Sequence, residues 1–385
     1  MRTLLFIHQA AELYGSDKTL LALIKNLNPQ QYKIVVLLPF DGPLRPALEA
    51  CQAEVHITPV LKLYRKMVTP MNLIRFIKDI QTGLATVKKL HAQHHFDLIY
   101  SNTLAVLLGV FAAKKLQIPH VWHVHEIIES PGIFKKTFGK LLALKSTTKI
   151  VYNSKATADF WNATAPLTPK SSVIHNGLET PNPVSEAEKM EIRERYFHAK
   201  TTDRVFALVG RISRWKGQLT ALEAFVPIAS EFPNSRLLFI GSAPPNQEHF
   251  EETLQTAIRQ YGLQTQVFQI PFQENIHSFW AAIDIALVPS TEPEPFGLVA
   301  VEAMLAGKPV IASNHGGLTE IVVSNQTGFL FPPADIPALT NAMQTLLLNP
   351  EKVKTMGEAG KIRALNHFSI QSYTQAFEQL FEQLS

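Results

Sequence analysis

The chain has a single cysteine, Cys51, in 385 residues. No intramolecular disulfide can form, so a bridge-stapled extracellular scaffold is excluded and a reducing, cytoplasmic setting is expected. Long apolar runs are missing too. Nothing approaches the roughly 18 uninterrupted residues of a membrane-spanning helix, so any membrane association is expected to be peripheral. The opening MRTLLFIHQA carries one arginine and too brief an apolar run for a signal peptide, and is expected to be a first buried strand. The sequence holds no Asp-x-Asp pair and no His, Cys and carboxylate cluster at metal-ligand spacing, so no bound metal is expected. It also lacks G-x-G-x-x-G and G-x-x-x-x-G-K-[ST], leaving dinucleotide oxidoreductases and P-loop enzymes without their fingerprints.

Net charge is small, +4, but unevenly spread. Residues 1–175 carry 21 Lys and Arg against 10 Asp and Glu, a charge of +11, while the remainder carries 15 against 22, a charge of −7. A basic half suits an anionic phospholipid surface or a phosphate-bearing acceptor. Lys62, Arg65, Lys66, Arg75, Lys78, Lys88 and Lys89 concentrate that charge, and point to peripheral contact with the inner face of the cytoplasmic membrane. Scattered solvated lysines are the plainer alternative. Nucleic acid is not expected as a partner, because no recognition motif or aromatic interleaving accompanies the basic residues.

What is present is an alternation of short β-branched runs with longer segments of helical apolar spacing, the pattern of parallel sheets covered by helices. The expected strands are 2–8, 33–39, 53–58, 96–101, 119–124 and 147–152, then 203–210, 235–240, 265–270, 284–288, 309–313 and 327–331. Six in each half imply an α/β chain of two doubly wound, Rossmann-like domains, with ligands at the carboxyl ends of the strands and facing a central cleft. The expected domains are 1–178 and 195–365, joined by a linker at about 176–195. A C-terminal helix at 366–385, striped by Phe377, Leu380, Phe381 and Leu384, is expected to return to the first domain.

The densest chemistry lies in EPEPFGLVAVEAMLAGKPVIASNHGGLTEIV, Glu292 to Val322. Pro293 and Pro295 stiffen the loop that presents Glu294. Gly297 then opens a helix whose first N–H groups, at Leu298 and Val299, can bind a phosphate. Glu302 is the one carboxylate in that otherwise apolar helix. Burying it unpaired would cost several kcal/mol, and a ribose diol would satisfy it; complementing the helix dipole is the alternative. In VGRISRWKGQ, Arg211 and Lys216 bracket a strand-to-helix turn after Gly210 and can neutralise a pyrophosphate without a metal.

These segments, with Gly316-Gly317 before Glu320 and the strand-end histidine of IPHVWHVHE, resemble glycosyltransferase family 4, the retaining enzymes of GT-B fold, over nearly the whole chain. The resemblance implies transfer of a sugar from a nucleoside diphosphate sugar to an acceptor hydroxyl, with retention at the anomeric carbon. It implies that Glu302 binds the ribose and Glu294 the donor-sugar hydroxyls, and that Phe296, Gly297, Leu298 and Val299 give backbone contacts to sugar and phosphate. Gly210, Arg211 and Lys216 would hold the diphosphate, and Ile270 and Pro271 would meet the base. His125 would stand where sugar meets acceptor, with His123 on the same face and Glu126 where an aspartate is common. The first loop, AELYGSDKTLL, departs from the family's Gly-Gly-Ala-Glu pattern: Tyr14 replaces one glycine and Asp17 stands at the acid. Gly15 and Ser16 could still offer N–H groups to phosphate or acceptor. Asn102 and Asn153 end strands nearby, as turn asparagines commonly do. A glycan or lipid-linked acceptor is expected. Another GT-B activity, such as a sugar-nucleotide epimerase or a phosphorylase, is an alternative, as is a non-catalytic two-domain binding protein.

Overall fold

The computed structural model describes residues 1–13, 15–61 and 70–384, with residues 70–75 as backbone only. Tyr14, Lys62, Arg65 and Lys66, all singled out above, lie outside the described residues. The chain divides into two units: Met1–Glu179 together with the segment from Ser369 onward, and Thr180–Phe368.

The sheet of the first unit holds β1 (Arg2–His8), β2 (Tyr32–Leu38), β3 (Glu54–Ile57), β4 (Leu98–Asn102), β5 (His120–Val124), β6 (Lys149–Tyr152) and β7 (Ser171–Val173). All pairings are parallel and the order is β3-β2-β1-β4-β5-β6-β7. Both faces are buried, which is why these strands read as nearly continuous apolar runs. Leu5, Ile7, Val35 and Ile99 enter one core with Val87, Leu90 and Leu108. Their neighbours Leu4, Phe6, Val36 and Tyr100 enter a second core on the other face, as the period of two requires. The sequence suggests six strands here; the seventh, Ser171–Val173, is three residues with two serines at the sheet edge, too short and polar to carry an apolar signal.

The helix Ile370–Leu384 closes that second core. Phe377 and Phe381 are fully buried, with ring centroids 5.7 Å from Tyr100 and 6.3 Å from Phe6 respectively. Such side chains contribute about 1.5–3 kcal/mol each on burial. The Ile370 N–H donates to the Leu178 carbonyl at 3.0 Å. A Cβ on Gly177 would lie 2.5 Å from both the Ser369 carbonyl oxygen and the Tyr373 Cβ, so only glycine permits this approach.

The second unit holds β8 (Arg204–Val209), β9 (Ser235–Ile240), β10 (Val267–Ile270), β11 (Ile285–Val288), β12 (Val310–Ser313) and β13 (Gly328–Phe331). They form a parallel sheet in the order β10-β9-β8-β11-β12-β13. Phe206, Leu208, Leu237, Phe239, Ile285 and Leu287 share one core with the helices Gln218–Glu231 and Ile336–Leu348. The stretch expected as a linker contains the helix Glu186–Phe197, which belongs to this unit. Its Arg193 donates to the carbonyls of Ala282 at 2.8 Å and Asp203 at 2.6 Å and to the Asp284 carboxylate at 3.2 Å.

In both sheets the chain reverses its direction of strand addition once, between β1 and β4 and between β8 and β11. Such switch points leave open crevices at the strands' carboxyl ends, where ligands of doubly wound sheets bind. Among the described residues no helix is long and apolar enough to cross a membrane.

Candidate functional site

At the β8/β11 switch point, two loops far apart in sequence meet. Lys216, from the turn after β8, reaches the Glu294 carboxylate, Nζ to Oε1 2.5 Å. Ser290, just past β11, donates its hydroxyl to the same oxygen at 2.6 Å. The turn holding Lys216 is pressed onto the β11 loop: a Cβ on Gly217 would lie 1.9 Å from the Pro289 carbonyl oxygen, and the Thr291 N–H donates to the Trp215 carbonyl at 2.8 Å. Arg214 pairs with Glu292 at the rim.

The Glu294 loop is held from below by Gly316-Gly317, which follow β12. The Gly317 N–H donates to the Glu294 carbonyl at 2.7 Å. Gly316 has φ +59°, and a Cβ there would lie 2.3 Å from that same carbonyl oxygen. Glycine is therefore needed for both conformation and space. The His315 ring is fixed by Nε2 to the Ser290 carbonyl at 2.9 Å. Burial works to raise the Glu294 carboxyl, but the Lys216 charge, the hydrogen bonds from Lys216 and Ser290, and the His315 ring outweigh it and hold it below the ordinary value.

Gly297, at φ +115°, starts the helix Leu298–Leu305 without a side-chain cap. Helix geometry leaves the N–H groups of Leu298 and Val299 without intrahelical acceptors. Phe296 is buried against Phe368, ring centroids 5.8 Å apart. Glu302 is half-buried, and the Trp280 indole N–H approaches its Oε2 at 3.4 Å; nothing in the sequence reading identifies Trp280. Gly210, φ +149°, directly follows β8, and its carbonyl oxygen would lie 2.1 Å from a Cβ on Gly241. Arg211 is exposed beyond it. Ile270 ends β10 and Pro271 follows it, two strands from β8, or roughly 10 Å at ordinary strand spacing. The Ile270 carbonyl accepts from the Gly241 N–H at 2.8 Å.

In the first unit, the β1/β4 switch point gathers polar side chains as well. His125, just past β5, has Nε2 2.9 Å from Asn102 Oδ1. Asn102 ends β4 and its Nδ2 lies 3.1 Å from the Ser16 carbonyl and 3.0 Å from His8 Nδ1. His8 Nε2 meets Asp17 Oδ1 at 2.6 Å, both side chains essentially fully buried. Gly15 and Ser16 begin the helix Gly15–Asn26 that carries Asp17. Glu126 accepts the backbone N–H groups of His125 at 2.9 Å and Leu104 at 3.0 Å, a loop-holding role. His123 points into the core: its Nδ1 meets the Tyr100 hydroxyl at 2.5 Å, and its ring lies 5.2 Å from Phe377. Burial depresses both histidines, His125 to about 3 with help from the His8 ring, and His123 well below its ordinary value. Asn153 accepts the Thr157 hydroxyl at 3.0 Å beside the cap of the helix Lys155–Asn162. Sequence reasoning overlooked His8, although it lies in register with the apolar Phe6 and ends its strand.

Two family models match successive stretches of the chain: Glycosyltransferase Family 4 over residues 14–181 and Glycosyl transferases group 1 over residues 190–363. The chain belongs to this glycosyltransferase family. Its two doubly wound sheets are those of a GT-B glycosyltransferase. Anabaena HepE, solved in complex with UDP and glucose, resembles this glycosyltransferase with a TM-score of 0.84 and 27% identity, over 100% of both chains. The lipopolysaccharide 1,2-N-acetylglucosaminetransferase of Salmonella typhimurium is 30% identical over 46% of this chain, and the match spans only about half, 47%, of that relative. The capsular polysaccharide biosynthesis glycosyltransferase CapM of Staphylococcus aureus is 25% identical over 80% of this chain and 82% of its own.

Proposed function

We propose that this glycosyltransferase moves a sugar from a nucleoside diphosphate sugar to a hydroxyl of a glycan or lipid-linked acceptor, with retention at the anomeric carbon. The observation that carries the reading is the β8/β11 switch point, where Lys216, Ser290 and Glu294 converge immediately before the uncapped helix Leu298–Leu305. Lys216, Arg211 and the N–H groups of Leu298 and Val299 supply positive potential for a diphosphate, while Glu294 accepts from sugar hydroxyls and Glu302 from the ribose. Phe296 and Gly297 contribute backbone contacts, Gly210 lets the chain pass close to the phosphates, and Ile270 with Pro271 borders the base. The complex of HepE with UDP and glucose supports uracil as the first base to test.

In the transfer, the bond from the anomeric carbon to the leaving phosphate oxygen breaks and a bond to the acceptor oxygen forms on the same face. The leaving phosphate oxygen takes the acceptor proton, so no separate base is required. Charge building on the diphosphate is met by preorganised donors rather than by a metal. In the first unit, Gly15, Ser16 and His125 serve the reacting sugar and the acceptor. The lipopolysaccharide and capsular relatives favour a surface glycan as acceptor. Lys78, Lys88 and Lys89, exposed on the helix Pro70–His94, suit an anionic membrane. A thermal-shift panel of UDP-, GDP-, ADP- and dTDP-sugars in EDTA tests the donor: one of them raises the melting temperature, and no shift with any would contradict the reading. Product analysis with and without acceptor separates transfer from epimerisation or phosphorolysis.

A further inference from the structure

The row Asp17, His8, Asn102 and His125 assigns its own protons. Asn102 Nδ2 can only donate, and it lies within hydrogen-bond distance of two atoms, the Ser16 carbonyl oxygen at 3.1 Å and His8 Nδ1 at 3.0 Å. A carbonyl cannot donate, so the Ser16 oxygen fixes which way the amide points. Turning the amide over would set two oxygens against each other inside a site where Asn102 is 1% exposed. With the amide so oriented, His8 Nδ1 carries the lone pair, and its Nε2–H donates to Asp17 Oδ1 at 2.6 Å. At the other end Asn102 Oδ1 accepts, so the hydrogen on the His125 ring sits on Nε2, 2.9 Å away. Burial and the His8 ring keep that imidazole neutral down to about pH 3. Its Nδ1 then holds a lone pair, and no side chain or backbone group among the described residues hydrogen-bonds to it.

We infer that Asn102, oriented by the Ser16 carbonyl and by the His8–Asp17 pair, is a positioning residue that locks His125 in its Nε2–H form. His125 thereby meets its substrate as an acceptor for a hydroxyl, not as a donor to an anion. The consequence for catalysis rests on the glycosyl-transfer reading; the tautomer does not. Ring-nitrogen NMR of the full chain with ¹⁵N-labelled histidine reads it directly, with the His125 signals identified by their loss in His125→Gln. The expected wild-type pattern at neutral pH is a protonated Nε2 and a bare Nδ1. An Nδ1–H or doubly protonated ring would overturn the inference. Asn102→Leu should move the His125 signals toward a tautomer average and lower kcat roughly tenfold or more, with donor KM within about twofold. Should the leucine variant fail to fold, the wild-type spectrum alone decides. The stated tautomer in a chain without transfer activity would sink the functional reading alone; the opposite tautomer in an active enzyme would sink only this inference.

Discussion

Replacing Lys216 by methionine keeps the length of the side chain and removes its charge, leaving the Glu294 carboxylate with Ser290 as its near partner. Breaking a fully buried pair from one side costs about 3–5 kcal/mol. Here the two side chains retain 21% and 12% exposure, and Ser290 still donates at 2.6 Å, so about 2 kcal/mol is the expected loss. For a unit of this size that lowers its melting temperature by roughly 4–8 °C. A double-mutant cycle with Glu294→Gln, followed by urea or thermal unfolding, isolates the pair and should return a coupling of about 1–3 kcal/mol. The pH dependence has a fixed sign. The folded-state pKa of Glu294 is depressed, so its contribution is complete above the unfolded carboxyl value and fades as pH falls through the lower folded value. The gap between wild type and Lys216→Met should therefore close in acid. A coupling below about 0.5 kcal/mol at neutral pH, or a gap that widens on acidification, would refute the reasoning.

Gly316→Ala should be costly, because φ +59° is unfavourable for alanine and its Cβ would lie 2.3 Å from the Glu294 carbonyl oxygen. A left-handed residue costs about 1–2 kcal/mol before the clash is counted, so denaturant unfolding should show a loss of about 2 kcal/mol or more. Glu302→Ala should raise the donor KM about tenfold to a hundredfold, the worth of hydrogen bonds to a charged acceptor; initial-rate kinetics with varied donor would read it.

Most of the sheet framework was legible because parallel strands buried on both faces are written as apolar runs: Leu4 to Ile7, Ile34 to Leu38 and Ile285 to Val288 stand out without any partner in view. Ser171–Val173 was not, since an edge strand of that length has no periodicity to detect. The site was legible in its parts more than in its wiring. The sequence suggests Lys216 as a cation for phosphate and the family resemblance implies Glu294 as a sugar ligand, but their direct pairing joins positions 78 residues apart, which local pattern cannot reveal. The approach of the Trp280 indole to Glu302 depends on two helices being packed together, which local pattern does not show. His8 was hidden by its setting, a lone polar residue ending an apolar strand, and its meaning depends on Asp17 and Asn102 arriving from other elements.

Calorimetric titration of the intact chain with a nucleoside diphosphate sugar in EDTA bears most directly on the central claim that protein groups alone hold the diphosphate. Binding that persists in EDTA is the predicted result, weakened tenfold or more by Glu302→Ala. Binding that appears only when a divalent metal is added, or that is indifferent to Glu302→Ala, would contradict it.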